Sequence, residues 1–217
     1  MKNICIIMGA GPAQSTVPTP AAGDLIIAAD GGLQELERRN IRWDLTLGDY
    51  DSLGFVPDRG EVIRHPVEKD ETDMQLAVRE AAARGYERFL LLGSLGGRLD
   101  HTLANMQELR RIAESGGRAF MAGEGQAITA LAGGNTLTFP AGMQGTVSVF
   151  CAGDRAEGVT LQGLQYTLTD GILTGDTPTG VSNAFTGAPA SITLRRGTLW
   201  VLWTESTESL AARLRND

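Results

Sequence analysis

The sequence predicts an α/β N-terminal domain built on a mostly parallel sheet, followed by a small all-β sandwich or barrel domain. Two observations carry this expectation. Over the first 120 or so residues, short apolar runs alternate with segments of helical spacing, the pattern of strands connected by helices. Beyond about Gly123 the helical spacing disappears, and short β-prone stretches rich in Thr are punctuated by Gly, Pro and Asn. The boundary therefore falls between residues 1–123 and 124–217. A chain of 217 residues, 42% of them hydrophobic, is long enough to bury a core in each part.

The expected strands of the first domain are 4–8, 24–29, 45–47, 62–65, 88–92 and 119–122. Between them, Met74, Ala77, Val78 and Ala81 follow the i, i+3, i+4, i+7 rule and form one apolar stripe. Leu103, Met106, Leu109 and Ile112 recur at three-residue steps, and Ser115-Gly116-Gly117 supplies a stop. In the second domain the expected strands include 136–139, 146–150, 165–168, 191–194 and 199–203. The stretch from Thr207 to Asp217 reads as a short polar helix or a frayed end.

Several function classes fall away on composition. A formal net charge of -7 repels phosphodiester backbones, so nucleic acid is not an expected partner. No apolar run approaches the roughly 20 residues needed to span a bilayer, so no membrane partner is expected. The opening apolar run turns at once into Gly9-Ala10-Gly11-Pro12, which suits a buried first strand better than a signal peptide. Cys5 and Cys151 sit in apolar surroundings without metal-ligand spacing. They read as buried free thiols in a reducing compartment, hence a cytoplasmic protein.

The acidic residues are informative through their positions. Asp30-Gly31-Gly32 follows the run 25–29, and Gly48-Asp49-Tyr50-Asp51-Ser52 follows 45–47. Lys69-Asp70-Glu71-Thr72-Asp73 opens the Met74 helix, and Gly96-Gly97-Arg98-Leu99-Asp100-His101 opens the Leu103 helix. Any one cluster reads as an ordinary turn or helix cap. Four of them past the C-terminal ends of four strands converge, in an open parallel sheet, on the crevice where ligands bind. So many carboxylates repel one another unless cations neutralise them. Oxygen ligands without His or Cys suit Mg²⁺, which commonly takes one or two carboxylates with substrate phosphates and water. Arg98 and Lys69 can hold phosphate oxygens, and Gly31, Gly32, Gly48, Gly96 and Gly97 allow backbone to approach a polyphosphate closely. This composition suits phosphoryl or pyrophosphoryl transfer.

Absent motifs narrow the field. The P-loop pattern does not occur, and Gly9-Ala10-Gly11-Pro12-Ala13-Gln14 starts like a dinucleotide fingerprint but ends in Gln. That loop still follows the first strand and can pass near a nucleotide. Neither His65 nor His101 has triad partners in recognisable context. His101, beside Asp100, either supports that carboxylate or caps a helix.

These four blocks, in this order and spacing, resemble the thiamin pyrophosphokinase family, with Val181-Ser182-Asn183 as a fifth, weaker block. The resemblance runs over roughly residues 5–205. It implies an N-terminal domain holding ATP and Mg²⁺, a C-terminal β domain contributing to a thiamin pocket, and a homodimer with active sites at the subunit interface. The implied reaction moves the β,γ-diphosphate of ATP onto the thiamin hydroxyl and releases AMP. The resemblance assigns Asp49, Asp51, Asp73 and Asp100 to the acidic group, with Asp70 as an added metal candidate and Asp73 and Asp100 as candidates to orient or deprotonate the hydroxyl. It assigns Arg98 and Lys69 to a phosphate clamp, and Ser182 and Asn183 to thiamin. Tyr166 is the first candidate for the aromatic wall, ahead of Trp200 and Trp203, whose simpler reading is core packing. Tyr50 stands where Phe is commoner in the family. The residues alone also allow a Mg²⁺-dependent nucleotide pyrophosphohydrolase or a non-catalytic thiamin- or nucleotide-sensing module.

Overall fold

The computed structural model describes residues 2–12, 16–50 and 59–216. The chain forms two compact units. Met1–Glu108, Arg118–Gly125 and Ser206–Asp217 belong to the first, and Leu109–Gly117 with Gln126–Glu205 to the second.

The first unit contains six strands, β1 (Cys5–Met8), β2 (Leu25–Ala29), β3 (Leu45–Gly48), β4 (Glu61–Arg64), β5 (Arg88–Leu92) and β6 (Arg118–Gly123). They pair parallel in the order β6-β5-β1-β2-β3-β4. Every residue of β1, β2 and β3 is buried, as expected for a parallel sheet covered on both faces. The edge strand β4 carries Glu61 and Arg64 and is more exposed, which protects it from pairing with other chains.

Helices α1 (Gly32–Arg38), α2 (Asp73–Ala83), α3 (Leu99–Glu114) and α4 (Thr207–Asn216) complete the described helices. The stripe expected on α2 is buried, with Met74, Ala77, Val78 and Ala81 all at most 6% exposed. Thr72 starts α2 with a capping box. Its hydroxyl accepts from the Gln75 amide at 3.2 Å, and its own amide donates to Gln75 Oε1 at 2.9 Å. The α3 stripe differs from the three-residue spacing. Leu99 and Leu103 are exposed, and the buried face runs through Asn105, Glu108, Leu109 and Ile112. Three-residue steps drift around a helix with 3.6 residues per turn, so the real face follows steps of three and four.

The expected 124–217 domain departs from this division at its end. Helix α4 packs on β5 and β6 of the first unit, burying Leu210, Ala211 and Leu214. It is also fastened by charge. Asp24 accepts from the amides of Ile4 at 3.0 Å and Ala21 at 2.8 Å, and pairs with Arg215 Nη2 at 2.6 Å. One carboxylate thus ties β1, the turn before β2 and the last turn of α4.

The second unit holds β7 (Gln126–Ala132), β8 (Thr136–Phe139), β9 (Thr146–Cys151), β10 (Arg155–Gln162), β11 (Leu168–Thr174), β12 (Asn183–Ala184), β13 (Ala190–Thr193) and β14 (Thr198–Thr204). They make two antiparallel arrays, β12-β9-β14-β7 and β11-β10-β13-β8. Alternate residues of β8 and β9 are buried, as in a sheet with one covered face. Phe139 of β8 meets Phe185 and Trp203 edge-on, with ring centroids 4.9 and 5.4 Å apart. Trp203 is therefore a core residue.

Residues 165–167 are not a strand. They form a bend, because the Asn183 side chain takes both backbone polar groups of Tyr166, donating to its carbonyl at 2.7 Å and accepting from its amide at 2.9 Å. Strand β10, unlisted among the sequence-based strands, is interrupted by Gly158 at φ 69°, where its pairing with β11 shifts register.

Asp24→Ala is expected to destabilise the protein by about 3–5 kcal/mol, because it leaves the Arg215 guanidinium, only 10% exposed, without its carboxylate. Glu71→Ala, which removes a surface carboxylate paired with Arg79, is expected to stay within about 1 kcal/mol. Urea unfolding midpoints of the two variants check the contrast.

Candidate active site

In the first unit, β1 pairs with β2 on one side and β5 on the other, so the chain reverses its direction of travel across the sheet at β1. At such a switch point a crevice forms at the carboxyl ends of the strands, beside the loops leaving β1 and β5. A cavity of about 420 Å³ occupies this place, lined by Gly9–Pro12, Asp30, Thr72–Met74, Gly93–Ser94, Gly96–Arg98, His101 and Asn105.

The two loops touch backbone to backbone. Gly9 N–H donates to the Leu92 carbonyl at 2.8 Å, and Gly11 N–H to the Gly93 carbonyl at 2.9 Å. A Cβ on Gly11 would collide with the Gly93 carbonyl oxygen, so this contact admits no side chain. Gly96 and Gly97, at φ 79° and 67°, carry the second loop around the cavity in the left-handed region. Asn105 of α3, 6% exposed, donates its side-chain amide to the Ser94 carbonyl at 3.0 Å and braces that loop. Sequence spacing points to Leu103 and Leu109 and misses Asn105. The available signal was the polar series His101, Asn105, Glu108 at four and three residues, which places polar groups along one face of α3.

The acidic residues separate into three groups. Lys69 Nζ lies 2.8 Å from Asp73 Oδ1 and 3.4 Å from Asp49 Oδ2, and all three side chains are at most one quarter exposed. Burial pulls the Lys69 ammonium down, but the hydrogen bond and charge of Asp73, then those of Asp49, outweigh it and leave its pKa above the ordinary 10.5. The stabilisation from this arrangement is thus complete at neutral pH and fades only as pH climbs past the ordinary lysine value through the folded one. Asp73 occupies the first turn of α2, where the helix dipole favours a carboxylate. Because Thr72 performs the capping, Asp73 is free to face Lys69.

Arg98 and Asp100 form a second group at the start of α3. Their bidentate pair, 2.6 and 3.2 Å, is largely exposed, and the Arg98 guanidinium holds the Asp100 carboxyl below the usual range. Arg98 and His101 line the cavity, while Asp100 lies beside it. Asp30, 9% exposed, lines the cavity from the end of β2 with φ 45°. Tyr50 is 3% exposed and also left-handed, at φ 63°. A non-glycine residue held there carries on the order of 1–3 kcal/mol of strain.

Four further expected residues stand off the cavity lining or outside the described residues. Gly31 and Gly32 lie off the cavity lining, and Gly32 lets α1 approach β1 because a Cβ would strike the Met8 carbonyl. Asp70 is exposed, and among the described residues no three acidic, His or Cys side chains gather as a metal-holding group. Asp51 lies outside the described residues.

In the second unit, Tyr166 is 63% exposed and Val181 51% exposed, with Ser182 also at the surface at φ 58°. The Ser182 amide donates to Ser148 Oγ at 3.1 Å. Asn183 is 4% exposed and grips the Tyr166 backbone, so it aims the aromatic ring. Trp200 is half-buried on the side of β14 opposite Trp203.

Gly11→Ala is expected to force the β1 and β5 loops apart and lower the thermal unfolding midpoint by several degrees in a circular dichroism melt, because the added Cβ meets the Gly93 carbonyl oxygen.

Comparison with known proteins accords with this arrangement. Residues 21–121 match the thiamin pyrophosphokinase catalytic domain, and residues 135–199 match the thiamin pyrophosphokinase vitamin B1 binding domain. Thiamin pyrophosphokinase 1 of Caenorhabditis elegans is 28% identical over 99 residues, a match that covers 41% of this chain and 41% of the nematode protein. The crystal structure of thiamine pyrophosphokinase from Bacillus subtilis superposes with a TM-score of 0.81 at 21% identity, covering 95% of this chain and all of that one. The crystal structure of the thiamin pyrophosphokinase family protein from Enterococcus faecalis superposes with a TM-score of 0.77 at 26% identity and the same coverage. With both domain matches on one chain, in order and over most of its length, this protein belongs to the thiamin pyrophosphokinase family.

Proposed function

We propose that the protein transfers the diphosphate of ATP to the hydroxyl of thiamin, giving thiamin diphosphate and AMP. The observation that carries this reading is the Asp49–Lys69–Asp73 cluster beside the glycine-lined cavity at the switch point of the sheet. In the reaction the thiamin hydroxyl oxygen bonds to the β-phosphorus of ATP as the bond from that phosphorus to the α-bridging oxygen breaks. AMP leaves with that oxygen, and the hydroxyl proton passes to a carboxylate or water.

The glycine loops from β1 and β5 would bring backbone amides close to the polyphosphate, and Arg98 at the cavity wall would take phosphate oxygens in a fork. Asp73 would orient the hydroxyl. Asp100, held ionised by Arg98, is better suited to accept a hydrogen bond than to retain a proton. The donor set fits Mg²⁺, since Asp49 and Asp73 offer hard oxygens within reach of one cation, Lys69. Asp49 and Asp73, with Asp51 and Asp70 as further candidates, would hold it; when bound, Mg²⁺ neutralises phosphate charge as it develops. Lys69 would then exchange carboxylate partners for phosphate.

The second unit would supply the thiamin contacts. An exposed Tyr166 ring offers a face to the thiazolium cation or pyrimidine, and Asn183 positions it. The reading extends to a homodimer with interfacial active sites, supported by the exposed apolar side chains Leu99 and Leu103 on one unit and Tyr166 and Val181 on the other. No described helix is long and apolar enough to cross a membrane, and Cys5 and Cys151 are buried free thiols, which supports a cytoplasmic setting.

Incubation with ATP, Mg²⁺ and thiamin is expected to yield AMP and thiamin diphosphate in equal amounts, with neither formed after EDTA. AMP formed without thiamin would replace this reading with a pyrophosphohydrolase. Asp73→Asn is expected to lower kcat at least a hundredfold in the same assay. Asn183→Ala should raise the thiamin KM several-fold with little change in the ATP KM, because it frees the Tyr166 bend and leaves the nucleotide cavity intact.

A further inference from the structure

The end of β3 is unusually constrained for a segment that bears a candidate metal ligand. The Gly48 carbonyl accepts from the His65 amide at 3.0 Å, and the preceding Leu47 carbonyl accepts from the Asp30 amide at 2.8 Å. Gly48 itself has φ 151°, and a Cβ there would sit 3.1 Å from the Asp30 Cα. The backbone on the N-terminal side of Asp49 is therefore fastened to both neighbouring strands. On its C-terminal side stands Tyr50, a bulky aromatic residue in the left-handed region, where such residues are genuine outliers. Tyr50 is 3% exposed, and its hydroxyl is buried. A strained backbone persists only where its surroundings impose it, and at residue 50 the side chain is buried.

We infer that Tyr50 is a positioning residue whose buried ring locks residue 50 in the left-handed conformation and so aims the Asp49 carboxylate at the cation site shared with Asp73. The inference rests on the reading of Asp49 and Asp73 as metal ligands, and it adds a cause for their convergence. Asp49 is held like a rung between two fixed points, the doubly bonded Gly48 junction and the Tyr50 ring. The ring performs this task, so the hydroxyl is dispensable for it.

Mn²⁺ binding to the full chain, followed by electron paramagnetic resonance of the free ion, tests this without turnover. Tyr50→Phe is expected to bind Mn²⁺ within about twofold of the unsubstituted protein. Tyr50→Gly, which relaxes the backbone and removes the ring, should bind at least tenfold more weakly, while ATP affinity in EDTA stays unchanged. If Tyr50→Gly does not fold, Tyr50→Leu takes its place with the same expected direction. Equal Mn²⁺ affinity in the ring-deleted variant and the unsubstituted protein would overturn the inference and leave the metal site standing. A loss in Tyr50→Phe as large as in Tyr50→Gly would also overturn it, as would a parallel loss of ATP affinity, which marks general damage. Absence of Mn²⁺ binding by the unsubstituted protein would overturn the metal-site reading and this inference together.

Discussion

The pairing of β1 with β2 on one flank and β5 on the other is the constraint on which the site depends. A parallel strand flanked this way sends its exit loop between two others, and the loops must either separate or meet without side chains. Here they meet. Gly9 and Gly11 are pinned to the carbonyls of Leu92 and Gly93, so the cavity floor is peptide backbone. Asp30 faces the cavity from the end of a fully buried strand, whereas Gly96, Gly97 and Arg98 reach it from the exposed turn before α3. Asn105 reaches from α3 to brace the same floor, and Thr72 caps α2 so that Asp73 faces inward.

Charge balance is the second organising force. Carboxylates gathered at one strand edge need cations, and among the described residues the chain supplies them itself. Lys69 answers Asp49 and Asp73, and Arg98 answers Asp100. The same cations that would clamp phosphate keep the edge electrostatically tolerable. Their two settings differ. The Lys69 cluster is shielded from water, whereas the Arg98–Asp100 pair stands at the surface, where solvent weakens it and leaves the guanidinium easy to redirect.

Much of the fold was legible because buried parallel strands leave unbroken apolar runs, and β1, β2, β3 and β5 do so. The α2 stripe was equally plain. Legibility failed where a tertiary contact replaced a local pattern. Residues 165–168 read as β-prone, but the Asn183 amide diverts the Tyr166 backbone from pairing. Strand β10 was hidden by the bulge at Gly158. On α3 the buried face carries Asn105 and Glu108, and polar residues do not register in a search for apolar spacing. At the site, Gly96, Gly97, Asp30, Asp73 and Arg98 line the cavity as their positions after strands implied. Gly31, Gly32 and Asp70 share the same sequence context but not the cavity, because position after a strand fixes the edge and not the direction a residue faces.

Helix α4 follows the whole β unit in sequence yet completes the α/β unit in space, with the Lys2 amide bonded to the Arg215 carbonyl at 2.9 Å. A ribosome making this chain releases most of the catalytic half first and its last packing element after the sandwich. Until then β5 and β6 lack the Leu210–Leu214 cover, and Asp24 waits with an unbalanced charge. The β unit can condense as a single stretch during that interval. The α/β half, whose strands are synthesised first, therefore completes its packing only after the β unit has been made.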